Sequence, residues 1–208
     1  IPENVDCVIH SGDATNPRDP YKSKEEMLDF LDWYGTLLIP ERIFVAGNHD
    51  TCIEKGLIKR KDFEDRGIIY LEGDEVIINQ LKIWGGPWTP TFGEGWAFNR
   101  SREKIYKYWD NIPNDTDIVV THGPPKGILD LSYNREGVLE FCGDNSLKKR
   151  MLLIQPKLCL FGHIHNRDNI INAGYTKLQK YETIFSNGSV VTDGKFGQLL
   201  SNGNIFEI

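Results

Sequence analysis

Four short polar stretches of this chain carry side chains whose types suit divalent metal. They are Ser11-Gly12-Asp13, Gly47-Asn48-His49-Asp50, Thr121-His122-Gly123-Pro124-Pro125 and Phe161-Gly162-His163-Ile164-His165. Metals of the Mn, Fe or Zn type favour a mixture of carboxylate oxygen and imidazole nitrogen. Asp13 is the candidate bridge between two ions, because the two oxygens of a carboxylate diverge. Asn48 adds a neutral oxygen and so leaves more of the metal's charge for an anion. His122, His163 and His165 supply nitrogens, and on an extended segment His163 and His165 would point to one face. Two ions roughly 3.5–4 Å apart clamp the attacking and leaving oxygens of a phosphoester and generate hydroxide near neutral pH. Four of the five histidines fall in these stretches, which argues for one shared site.

The elements that must position these residues are legible as apolar runs. Val8-Ile9, Ile43-Phe44-Val45, Ile118-Val119-Val120 and Leu158-Cys159-Leu160-Phe161 each end where a polar stretch begins. Such runs bounded by glycine read as buried strands. Open α/β sheets gather ligand-binding residues beyond the carboxyl ends of their strands. Helices are expected over Lys24–Leu38, opened by a Ser23/Glu26 capping box, and over 54–66, 100–111 and Ser146–Gln155. Further strands are expected over Ile68–Leu71, Glu75–Asn79 and Leu81–Trp84, with short strands and Asn-Gly and Asp-Gly turns over Thr183–Ile208. Residues 126–143 form an excursion without clear period. The alternation predicts a layered α/β sandwich in a single domain spanning 1–208, with parallel pairing early and antiparallel pairing late.

Composition narrows the partners. A chain of 208 residues, 39% hydrophobic and 26% charged, has enough apolar material for a full core. Its net charge of −6 argues against long nucleic acid and anionic membranes, so a local metal cluster is the expected receiver of phosphate. No apolar run reaches the length of a membrane-spanning helix. Cys7, Cys52, Cys142 and Cys159 are scattered and read as reduced and buried, which suggests a cytoplasmic setting.

The ordered set Gly-Asp, Gly-Asn-His-Asp, Thr-His-Gly-Pro-Pro and Gly-His-x-His resembles the calcineurin-like metallophosphoesterase superfamily. Trp84-Gly85-Gly86-Pro87-Trp88-Thr89-Pro90 and Gly95-Trp96-Ala97-Phe98-Asn99 resemble its small UPF0046-type, metallophosphoesterase-domain branch. The resemblance implies a four-layer α/β/β/α sandwich with two mixed sheets and a centre of two divalent ions, Mn foremost, with Fe or Zn as alternatives. It makes Asp13 the bridging ligand, assigns Asn48, His122 and His163 to the second metal and gives His165 to the first. His49 is then a general acid or charge partner at the leaving oxygen, oriented by Asp50. The superfamily opens with an Asp-x-His on a preceding strand. No such motif lies ahead of Asp13, so the sequence reads as lacking that first strand.

The substrate expected from this reading is a small phosphodiester, with cyclic nucleotides included. Trp88, Trp96 and Phe98 are candidates to stack on a base, although aromatic clusters also serve cores. A phosphomonoesterase is the close alternative. A non-catalytic module holding metal or nucleotide is the other class left open. Lys126 and Arg167 follow metal motifs and are candidate phosphate contacts. His10 reads as a core residue behind the site, and Asp50 as a helix cap if not an orienting group.

Overall fold

Alternation along the strands builds the architecture. Ile43 and Val45 point into one apolar cluster and Phe44 and Ala46 into another, and the same split separates Ile118 and Val120 from Val119. Strands with both faces buried must lie between two layers. The computed structural model describes residues 4–134, 136–194 and 197–208. In chain order the elements are β1 (Cys7–His10), α1 (Pro20–Gly35), β2 (Glu41–Phe44), α2 (Thr51–Glu54), α3 (Arg60–Glu64), β3 (Ile69–Tyr70), β4 (Asp74–Ile78), β5 (Leu81–Gly86) and β6 (Thr89–Pro90). There follow β7 (Asn99–Arg100), α4 (Tyr106–Trp109), β8 (Ile118–Thr121), β9 (Leu131–Tyr133), β10 (Leu139–Phe141), α5 (Asn145–Ile154), β11 (Leu158–Phe161), β12 (Gly174–Lys177) and β13 (Ile184–Asn187).

One sheet has six strands in the order β12-β13-β11-β8-β5-β4, parallel in its centre and antiparallel at both edges. The other has β1-β2-β3 and is parallel throughout, so only the larger sheet is mixed as expected. Helix crossovers explain the difference: α1 links β1 to β2, and such a connection returns the chain in the same direction. Between the sheets Ile43, Val45, Leu71, Ile83, Ile118, Val120 and Leu158 form an inner core. The outer face of the small sheet packs Phe44 and Tyr70 on Met27, Leu31 and Tyr34 of α1. The outer face of the large sheet packs Trp84, Val119 and Cys159 with Trp109, Leu147 and Met151. Each fully buried side chain of this size contributes roughly 1.5–3 kcal/mol. The result is the expected α/β/β/α sandwich.

Local chemistry corrects several boundaries. Helix α1 starts at Pro20, because Asp19 accepts from the amides of Tyr21 and Lys22 and proline suits the first helical position. Ser23 is therefore inside the helix, buried, with its hydroxyl against Thr15 at 2.9 Å. The helix expected over 54–66 is two short ones, because Gly56 turns at φ +70° and Leu57 folds back onto the Cys52 carbonyl. The helix expected over 100–111 keeps one turn, since Arg100 is still extended in β7 beside Pro90. The excursion at 126–143 contains the β9–β10 hairpin. In the C-terminal stretch β13 is the one strand among the described residues. Val191 and Leu199 form an isolated bridge, and positions 195 and 196 lie outside the described residues. All four cysteines are free, with Cys52 and Cys159 buried and Cys7 and Cys142 only half-buried. No helix among the described residues is long and apolar enough to cross a membrane.

The two sheets approach closely at Gly85. A Cβ there would stand 2.6 Å from Leu71 Cβ and 2.7 Å from Val45 Cγ2, both inside the inner core. Overpacking a filled core costs about 1–3 kcal/mol. Gly85→Ala is therefore expected to lower the urea midpoint at unchanged slope. An unshifted midpoint would mean that the sheets can separate without cost.

Candidate metal centre

The four polar stretches meet because their strands run parallel in pairs. β1 lies parallel to β2 and β8 parallel to β11, so each pair ends on the same edge. Asp13 follows β1, Asn48 follows β2, His122 directly follows β8, and His163 and His165 follow β11. Glycine permits the approach. A Cβ on Gly47 would lie 2.3 Å from Asp13 Oδ1 and 2.6 Å from His122 Cε1, and one on Gly12 would lie 2.6 Å from His122 Nδ1. Asp13 itself sits in the left-handed region at φ +60°, which Asp tolerates better than most residues.

Lone pairs converge here. His122 Nδ1 lies 2.7 Å from the Ser11 carbonyl, which can only accept, so this nitrogen carries the proton. His122 Nε2 then faces Asn48 Oδ1 at 2.9 Å and Asp13 Oδ2 at 3.2 Å. With a neutral ring the Nε2 lone pair faces two electron-rich oxygens, an arrangement that needs a cation or a second proton on the ring. Burial works against a charged His122, yet the Asp13 charge and hydrogen bond outweigh it and push the group upward. For Asp13 burial works upward too, but His122 holds the carboxyl well below the usual carboxylate range. His163 is pushed down to about 3 by burial and by the His122 charge, so its ring stays neutral with a nitrogen lone pair to offer. Donor atoms of Asp13, His122 and His163 all lie within 4.8 Å of one another. The donor set fits one divalent ion, which Asp13, His122 and His163 could hold with Asn48 beside them.

The backbone that carries His165 differs from the expectation. The His163–His165 segment is not extended: His163 has φ +69°, and the Ile164 amide donates to the Gly162 carbonyl at 2.8 Å. This γ-turn costs roughly 1–3 kcal/mol and gives the two rings different partners. His163 faces His122 at 4.9 Å between ring centroids. His165 donates from Nδ1 to the Val191 carbonyl at 2.9 Å, which leaves its Nε2 as the donor. It stands outside the group whose donor atoms are all within 4.8 Å of each other.

Asp50 does not orient His49. Its carboxylate is fully buried and accepts from the amides of Gly47 at 2.7 Å, Asp13 at 3.0 Å and Thr15 at 3.1 Å. It makes no side-chain cap to α2 either. Its role is to tie the loop after β1 to the loop after β2. Burial and the Asp13 charge push it up to about 7, against the amides that favour the carboxylate. The His49 ring instead meets the Asn16 carbonyl through Nδ1 at 2.9 Å, a contact that no sequence motif signals. The His49 amide donates to Asp13 Oδ1 at 2.8 Å.

Of the three aromatic candidates only Trp96 borders the centre, with its ring 4.6 Å from that of His49. Trp88 stacks on Tyr108 at 4.0 Å, and Phe98 is buried in the same outer core, so both serve packing. Neither type nor spacing marks Phe92 and Arg18, yet Phe92 lies 5.2 Å from His163 and Arg18 covers Trp96 at 3.9 Å. Arg167 is held by Asp193 at 3.4 Å, and Lys126 is exposed. His10 accepts from the Gly12 amide at 3.2 Å and stacks on Phe44 at 5.3 Å, a structural placement beneath the loop.

Fold and site together define a metal-binding phosphoesterase architecture, and the chain belongs to the calcineurin-like phosphoesterase family, whose model matches residues 1–167. The chain is 32% identical over 213 residues to human metallophosphoesterase domain-containing protein 1, covering 90% of this chain and 60% of that protein. It is 38% identical over 204 residues to a Caenorhabditis elegans UPF0046 protein, covering 83% of this chain and 49% of the relative. The chain thus spans between half and three fifths of these relatives. A Thermus thermophilus crystal structure shares the fold with a TM-score of 0.54 at 13% identity, covering 88% of this chain and 76% of its own.

Two outcomes follow from these contacts. Asp50→Asn turns an N–H donor toward amides that need an acceptor, at a cost of about 1–3 kcal/mol. It should lower the unfolding midpoint and, by loosening Asp13, weaken Mn²⁺ binding in calorimetry; wild-type affinity in the variant would refute the tie. His10 is pushed from 6.5 down to about 4 by burial. The unfolded chain therefore binds the extra proton first, so the neutral ring's contribution is complete above pH about 6.5 and is lost as pH falls toward about 4. Urea midpoints should drop over that window less steeply in His10→Gln than in wild type, and equal slopes would rule the coupling out.

Proposed function

We propose that this chain hydrolyses small phosphodiesters, cyclic nucleotides among them, with two divalent ions at the centre and manganese as the working metal. Iron and zinc fit the same donors. The observation that carries the reading is the convergence of donor atoms of Asp13, His122 and His163 within 4.8 Å of one another, with Asn48 Oδ1 2.9 Å from His122 Nε2. Asp13 and His165 are the donors this chain offers to the other ion. When bound, divalent ions polarise phosphoryl oxygens and lower the pKa of water.

The chain's own residues do the rest. Asp13 and Asn48 hold oxygen donors against the strand ends, and the Ser11 carbonyl fixes the His122 tautomer so that Nε2 faces inward. His49 keeps its Nδ1–H on the Asn16 carbonyl, so in the doubly protonated ring Nε2–H is the proton that would pass to the leaving oxygen, or the charge that would face it. Trp96 offers an aromatic rim on which the organic group of an ester can stack. The net charge of −6 makes long nucleic acid an unsuitable substrate, and a small phosphorylated molecule the partner. Free cysteines suit the cytoplasm.

The test is hydrolysis of bis(p-nitrophenyl) phosphate beside p-nitrophenyl phosphate, with Mn²⁺ and with EDTA. Mn²⁺-dependent turnover that favours the diester is expected, and His122→Ala should lower kcat/KM by about 100-fold or more. Turnover that survives both EDTA and His122→Ala would sink the proposal. Preference for the monoester would move the chain to phosphomonoesterases, and Mn²⁺ binding without turnover would make it a binding module.

A further inference from the structure

The loop joining β6 to β7 spans the centre from one histidine to another. Phe92 at its start lies 5.2 Å from the His163 ring, and Trp96 near its end lies 4.6 Å from the His49 ring at 62°. The two aromatics meet each other at 5.5 Å. The loop is fastened to the donor stretch itself, because the Ala97 amide donates to the Asn48 carbonyl at 3.0 Å. Phe98 next to it is buried and turns the chain at φ +54°. The two residues that follow Trp96 are thus anchored. The Arg18 guanidinium lies over the Trp96 ring, 3.9 Å from its centroid.

His49 needs such a support. Among the described residues its ring has one hydrogen bond, from Nδ1 to the Asn16 carbonyl at 2.9 Å, and a single bond leaves the imidazole free to swing about that point. Asn16 and Arg18 belong to one loop, so the segment that supplies the carbonyl also supplies the cation behind Trp96. An edge-on aromatic contact and a cation on the opposite partner are both directional, and together they fix a ring plane. We propose that Trp96, backed by Arg18, is a positioning residue that holds the His49 imidazole against Asn16 with Nε2 directed at the leaving group. This rests on the diesterase reading for its catalytic consequence, but the positioning itself is a property of the folded chain.

The experiment has two arms on the full 208-residue chain. In the first, ¹⁵N-edited NMR at fixed alkaline pH reads the His49 tautomer. Wild type should show Nδ1 protonated, and Trp96→Ala should raise the Nε2-protonated form as the ring leaves Asn16. Trp96→Phe should restore the wild-type signal, and Arg18→Ala, an exposed change, should move it part of the way. An Nδ1–H signal unchanged in both Trp96→Ala and Arg18→Ala would overturn the proposal. In the second arm, kcat is measured for Mn²⁺-loaded enzyme on aryl methyl phosphodiesters of good and poor leaving groups. Trp96→Ala should lower kcat on the poor leaving group by about tenfold, a part of the full general-acid effect, with little change on the good one. His49→Ala should show the same selectivity more strongly. An equal loss on both esters would reduce Trp96 to a substrate contact or a fold element and refute positioning. If wild type shows no Mn²⁺-dependent turnover, the diesterase reading fails while the NMR arm still decides the placement of His49.

Discussion

The buried carboxylate of Asp50 is the interaction on which the rest of the centre depends. Three backbone amides from two separate loops converge on it, those of Gly47, Asp13 and Thr15. A carboxylate without solvent is costly unless its lone pairs are filled, and here the amides fill them. The same bonds set where Asp13 stands relative to Asn48 and His49, so the position of the oxygen donors follows from a buried group behind them. Its elevated protonation range reflects the tension between burial beside Asp13 and those amides.

A second constraint is steric. Gly12 and Gly47 allow two loops and the His122 ring to pack at distances no side chain could share. Left-handed backbone at Asp13 and His163 then aims the donors inward. Strain of this kind collects where surrounding structure over-determines a geometry. The surrounding structure here is the sandwich: inner core residues such as Val45 and Val120 clamp the strands whose ends carry the donors.

Aromatic residues divide between the core and the rim of the centre by depth. Trp84, Trp88, Trp109 and Phe98 fill the outer core, whereas Trp96 and Phe92 stand at the rim between His49 and His163. The segments concerned are close in sequence and similar in composition. What separates them is that β6 and β7 pair and bury Phe98, leaving the connecting loop to lie over the centre.

Residue types and local periodicity determined much of this protein. The carboxylate, amide and imidazole donors, their order, and the strand before each were legible because apolar runs and glycine breaks are local signals. The alternation of Ile43, Phe44, Val45 and Ala46 already required two layers. Tertiary structure alone decided which donors meet, since the contacts that matter join Asp13 to Asp50 across 37 positions and Ser11 to His122 across 111. It made Asp50 a tie between loops, bent the His163–His165 segment into a turn and put Asn16 on His49. It also put Trp96, and not Trp88 or Phe98, beside His49. Each of these depends on where distant loops come to rest against one another, and a residue's type and spacing carry no record of that.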